Sequence, residues 1–192
     1  MEITGIILAG GKSSRIGQDK GLLKINGKTL VEQVHDQIKE VCDSVILISN
    51  QQGYDFLDIP IYNDIHKDKG PIGGIHSGLT HSNSKYNMIV SCDMPNLSVD
   101  LFNFLIKNIE NDHEAIVPVF KDEIQPLCGI YCRSSLVKLH AAIESDKLKM
   151  KQFLEEIHTK IVYLDDSLDF YSDHLFTNIN TRDDLNQVIQ IQ

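Results

Sequence analysis

The chain has 192 residues, 42% of them hydrophobic and 23% charged, with a formal net charge of -9. That length suits one domain with a sizeable core, and the acidic balance argues against a general nucleic-acid or acidic-membrane binder, because phosphate backbones reward basic surfaces. A nucleotide ligand stays open: surface acids beyond a Debye length of about 8 Å are largely screened, so local cations decide, and the opening stretch supplies Lys12, Arg15 and Lys20.

In chain order, Met1 to Thr4 carries no basic leader and no apolar run approaches membrane length, which predicts a cytoplasmic protein without a membrane span. Ile3 to Leu8 is a continuous apolar run ending in glycines, the pattern of a buried parallel strand. Leu30 to Val41 places Leu30, Val34, Ile38 and Val41 on one helical stripe. Ser44 to Ser49 reads as a second buried strand. Pro71 to Leu79 reads as a helix entered through proline and two glycines. Asn87 to Cys92 is the next strand, and Ser98 is placed to cap a helix over Val99 to Ile109.

The second half is less regular. Ala115 to Val119 and Leu127 to Cys132 read as strands, joined through Lys121-Asp122-Glu123 closely enough for an antiparallel hairpin. Leu136 to Ile143 and Met150 to Ile157 read as helices, Ile161 to Leu164 as a strand, and Thr181 to Asp184 as the start of a final helix through Ile189. The alternation predicts one α/β domain over residues 1–192: a three-layer, doubly wound, mostly parallel sheet with a small antiparallel element in the second half. Cys42, Cys92, Cys128 and Cys132 lack zinc-site spacing and read as reduced thiols. His66, His76 and His81 read as surface or capping residues.

The stretch Leu8 to Gly21, LAGGKSSRIGQDKG, contains Gly11-Lys12-Ser13 directly after a strand. A P-loop needs glycine five positions before that Gly11, and Ile6 stands there. The alternative is a glycine turn at a strand's carboxyl end, where backbone N–H groups can nest an anion and Lys20 adds a mobile cation. Glycines packed there for purely steric reasons would look the same.

LAGGKSSRIGQDKG is similar to the signature of nucleotidyltransferases acting on sugar phosphates and related cofactors, and resembles most nearly the molybdenum cofactor guanylyltransferase family (MobA). Ile16 stands where methionine is more typical. Asn63-Asp64 with Gly70-Pro71-Ile72-Gly73-Gly74, then Ser91-Cys92-Asp93-Met94-Pro95, and Phe176 to Thr181 (FTNINT) fit the same family. The likeness spans most of the chain and is weakest between about Phe120 and Phe170.

The resemblance implies a Rossmann-like nucleotidyltransferase fold and transfer of GMP from GTP to the phosphate of molybdenum-molybdopterin, with release of pyrophosphate. It implies Arg15, Lys20 and Asp93 as catalytic residues, with Asp93 holding Mg2+ as a hard cation's oxygen ligand. Nucleotide contacts fall to Leu8, Ala9, Gly10, Gly11, Lys20, Asp64, Gly74 and Asp93, and acceptor contacts to Asn178 and Asn180. The N-terminal part would bind nucleotide and the C-terminal part acceptor. The expected partners are GTP and the molybdopterin cofactor as substrates, with molybdenum-insertion and cofactor-delivery proteins around a monomer. Base choice is not legible in the residues, so a CTP-dependent molybdopterin cytidylyltransferase, another small nucleotidyltransferase and a non-catalytic nucleotide carrier stay open.

Overall fold

The computed structural model describes residues 1–10, 19–179 and 184. Strand β1 (Ile3–Leu8) leads to a short hairpin, β2 (Lys24–Ile25) and β3 (Lys28–Thr29), and then to helix α1 (Leu30–Ile38). Next come β4 (Ser44–Ile48), β5 (Ile61–Tyr62), α2 (Gly70–His81), β6 (Tyr86–Ser91) and α3 (Val99–Lys107). The second half holds β7 (Ala115–Phe120), β8 (Glu123–Ile124), β9 (Cys128–Cys132), α4 (Leu136–Glu144), α5 (Met150–Glu156) and β10 (Thr159–Leu164).

The central sheet runs β10-β7-β9-β6-β1-β4-β5, with β8 also on β7. Strands β5, β4, β1 and β6 are mutually parallel, as are β7 and β10, while β9 runs against both of its neighbours. The expected antiparallel element is therefore real, and it sits inside the sheet. The predicted hairpin is present with an interruption: Phe120 pairs with Glu123 around a turn in which Lys121 and Asp122 both have positive φ, and Ala115 pairs with Tyr131 further along. Gln125 to Leu127 is the excess chain between the two ladders.

Both faces of the sheet are covered, so β1, β6, β7 and β9 are buried at every residue instead of alternating. Ile3, Ile7, Leu47, Met88 and Val90 face α1 and α3, against Val34, Ile38, Leu101 and Phe102. Ile6, Leu8, Ile46, Ile48 and Ile89 face the other layer, with Ile72, Ile75 and Leu79 of α2, Leu139 of α4 and Phe153 of α5. The three-layer prediction holds.

Local signals set the ends. Thr29 and Glu32 form a reciprocal capping box at α1, and the Ser98 hydroxyl accepts from the Leu101 amide at α3. Helix α1 stops at Ile38, short of the expected Val41. The chain must turn there, because Asp43 meets Ile3 twice: its amide donates to the Ile3 carbonyl and its carboxylate accepts from the Ile3 amide. The final helix expected through Ile189 lies outside the described residues, apart from Asp184, which is helical.

Candidate active site at the carboxyl edge of the parallel strands

The parallel register aligns Tyr62, Ile48, Leu8 and Ser91 in one row, the last residues of β5, β4, β1 and β6. Whatever follows each of them emerges at the same rim, where open α/β sheets bind ligands. The emerging residues are Ala9-Gly10, Ser49-Asn50-Gln51, Asn63-Asp64 and Cys92-Asp93. Backbone bonds lock this edge: the Ala9 amide donates to the Ile48 carbonyl, and the Cys92 amide to the Leu8 carbonyl.

Asp93 is held at one oxygen by the Ser91 hydroxyl, which donates to Oδ1 over 2.5 Å. Its other oxygen lies 3.9 Å from Lys20 Nζ, with side chains 22% and 25% exposed. Lys20 opens a short 3-10 turn that Asp19 caps, its carboxylate accepting from the Gly21 amide. The pair is an ammonium and a carboxylate facing one another beyond hydrogen-bond range. It offers a positive and a metal-ligating group to one small volume.

Asp64 sits across the rim. Asn50 clamps it twice, donating from Nδ2 to Asp64 Oδ2 and accepting the Asp64 amide at Oδ1. Burial raises its carboxyl above the usual aspartate range, and the Asn50 bond opposes that. Its Oδ1 is buried and has no hydrogen-bond partner among the described residues. Buried polar atoms are almost always paired, so this oxygen keeps acceptor capacity that no described residue takes up.

A cavity of about 520 Å³, within the size range of small-ligand sites, opens at Asp64 and reaches Ser91, the residue that holds Asp93. Leu8, Gly10, Asn50, Asp64, Gly74 and Ser91 are among its lining residues. Gly70 and Pro71 also line it, and the first turn of α2 has no side-chain cap. An uncapped helix start presents amides and a positive dipole end, which favours an anion. The two adjacent glycines differ in purpose. Gly74 faces the cavity, whereas a Cβ at Gly73 would come within 2.9 Å of Lys69 Cβ and 3.1 Å of the His66 carbonyl.

Residues 5–161 match the family described as MobA-like NTP transferase domain. The chain belongs to that family. A Flavobacterium johnsoniae protein named "Probable molybdenum cofactor guanylyltransferase" is 37% identical over 188 residues, with 97% of this chain and 96% of the relative covered. A Clostridium perfringens protein of the same name is 33% identical over 199 residues, covering 96% of this chain and 94% of its own. Among solved structures, molybdopterin-guanine dinucleotide biosynthesis protein A from Archaeoglobus fulgidus matches with a TM-score of 0.83 at 25% identity, over 98% of this chain and 97% of that one.

In this MobA-like domain, Leu8, Ala9, Gly10, Lys20, Asp64, Gly74 and Asp93 all gather at the carboxyl rim. Asn178 reaches it from the far end of the chain. It is exposed and directly precedes Ile179, whose amide donates to the Asp93 carbonyl over 3.0 Å. Residues 177–179 are irregular, held by that backbone bond and one buried side chain. Ile179 is fully buried against Ile25 and Leu30 of the hairpin and α1, an anchor worth about 2 kcal/mol. Gly11, Lys12, Arg15 and Asn180 lie outside the described residues.

Asn50, Ser91 and Leu127 were not singled out from the sequence. Asn50 lies two residues beyond the end of β4 and Ser91 is the last residue of β6, positions that the rim rule marks. Leu127 carries no such signal; its carbonyl accepts from the Ser91 amide across the inserted strand. His76 was read as a surface or capping residue and is 7% exposed. Helix α2 is buried from Ile72 through Leu79 although glycine, serine and histidine supply five of those eight residues, so side-chain hydropathy underrates it.

Proposed function

We propose that this MobA-like domain transfers GMP from GTP to the phosphate of molybdenum-molybdopterin, giving the guanine dinucleotide cofactor and pyrophosphate. The observation that carries the reading is the approach of Lys20 to Asp93 beside a nucleotide-sized cavity at the parallel rim. The names of the curated relatives supply the substrates.

An ionised phosphate oxygen of the acceptor attacks the α-phosphorus of GTP, the bond to the bridging oxygen breaks, and pyrophosphate leaves with the electron pair. The attacking group is already an anion, so no strong base is needed, and positioning with charge stabilisation dominates. Lys20 sets positive charge beside the phosphates, and Arg15 joins it on the strength of the sequence alone. Asp93, fixed by Ser91, would hold Mg2+, and Asp64 Oδ1, without a partner among the described residues, fits a hard cation or its water shell. When bound, that ion neutralises phosphate charge as a Lewis acid. The uncapped start of α2 favours the triphosphate, Gly74 leaves room for base or ribose, and Asn178 and Asn180 address the acceptor.

One domain then serves both substrates, the N-terminal part the nucleotide and the C-terminal segment the acceptor. Among the described residues no helix is long and apolar enough to cross a membrane. We propose a cytoplasmic monomer that exchanges cofactor with molybdenum-insertion and delivery proteins.

The test incubates molybdopterin with GTP, CTP or UTP and detects the product by mass. Guanine dinucleotide from GTP alone is expected, with Asp93→Asn losing at least a thousandfold in Mg2+-dependent pyrophosphate release. A cytosine dinucleotide would move the protein to the cytidylyltransferase reading.

A further inference from the structure

We propose that His66, His76 and His140 form a three-imidazole site for a borderline transition-metal cation such as Zn2+, distinct from the magnesium expected at Asp93. The three come from separate elements: the connection between β5 and α2, the middle of α2, and α4. One ligand nitrogen from each lies within 4.8 Å of the others. Ring centroids are 4.9 Å apart for His66 and His76, 5.7 Å for His76 and His140, and 5.8 Å for His66 and His140.

His76 gives the cluster its meaning. Its side chain is buried, yet Nδ1 has no hydrogen-bond partner among the described residues, an arrangement that folded proteins ordinarily avoid. Burial, and then the neighbouring His66 and His140, push its pKa down to about 4, so it offers a neutral lone pair at physiological pH. An imidazole-only donor set suits zinc, copper or nickel and not magnesium, which wants oxygen.

With Zn–N bonds of about 2.0–2.1 Å, tetrahedral nitrogens sit about 3.3 Å apart. The cluster must therefore close by roughly 1.5 Å at its widest, within reach of rotamer changes at His140, which is exposed, and His66, which is half-buried. Water would complete the shell on the His140 side.

The ion would act as a staple. The backbone at His66 already presses on α2, where Gly73 leaves no room for a Cβ, and Lys69 pairs with Asp146 beyond α4 over 2.8 Å. His66 stands two residues from Asp64. A metal across the three rings would fix the connection that carries Asp64 to both helices.

The test uses chelator-stripped full-length protein, titrated with Zn2+ by calorimetry and with Co2+ by visible absorption. One ion per chain is expected, with a tetrahedral Co2+ band and a rise in Tm on Zn2+ addition. His66→Ala and His140→Ala should each weaken binding at least tenfold and abolish the band, while the apo melting curve shows each variant folded. Replacing Asp112 and His158, which belong to a second and more exposed cluster with His113, should leave affinity unchanged. No stoichiometric binding by the unmodified chain, or unchanged affinity in either histidine variant, overturns the proposal. Neither readout uses nucleotidyl transfer, so the two proposals fail independently.

Discussion

Lys20 Nζ stands 3.9 Å from Asp93 Oδ2, joining the turn after β1 to the turn after β6. Opposite charges so placed usually make a contact of little worth near the surface. At a phosphate site the same spacing matters, because an incoming anion takes the lysine while a cation takes the aspartate. Lys20→Ala is expected to weaken GTP binding about tenfold or more, about 1.4 kcal/mol, with Tm nearly unchanged. Equilibrium titration with a fluorescent GTP analogue checks this, and an unchanged dissociation constant removes Lys20 from the phosphate site.

Asp64 predicts a conflict between stability and binding. Its folded carboxyl is raised by burial, so its ionised form is disfavoured relative to the unfolded chain. The associated stability is present below the unfolded pKa and is lost as pH rises through the folded one. Asp64→Asn removes that loss and keeps hydrogen-bonding capacity toward Asn50. Tm at pH 7 should rise, the gain should vanish in acid, and nucleotide affinity should fall about tenfold. A lower Tm at pH 7 would show that the Asn50 bonds outweigh the buried charge.

Glu114 works in the opposite sense. Burial raises its carboxyl, but Lys138 Nζ at 2.5 Å and the His158 amide at 3.1 Å more than offset this, leaving it below its ordinary value of 4.5. Its stabilisation is full above the unfolded value and is lost as pH falls through the lowered folded one. Glu114→Gln should cost about 1–2 kcal/mol at pH 7, and the gap to the parent should shrink below about pH 4.5. Denaturant midpoints at a series of pH values read it directly.

The apolar runs at Ile3–Leu8, Ser44–Ile48 and Tyr86–Ser91 announce themselves because a strand covered on both faces needs no polar alternation. The helices at Leu30 and Val99 are equally plain from their stripes. Two-residue strands such as Lys24–Ile25, Lys28–Thr29 and Ile61–Tyr62 are not, since they exist through their neighbours and not through propensity. Asp93 and Lys20 were legible from motif and position together. The docking of Asn178 beside Asp93 was not, because it depends on Ile179 burying itself against Ile25 and Leu30. The histidine cluster was hidden by the glycine-rich packing of α2, which buries His76 where sequence hydropathy places it outside.

Strand β9 pairs with β6 from Tyr86 to Val90, yet it is made only after β7 and β8. In a chain made only as far as β8, the β6 flank would lack its β9 partner for amides and carbonyls. Such a flank templates pairing with other chains. Strand β9, which runs against both of its neighbours, covers that flank. Substitutions in residues 128–132 that weaken this pairing are therefore expected to lower soluble yield during synthesis.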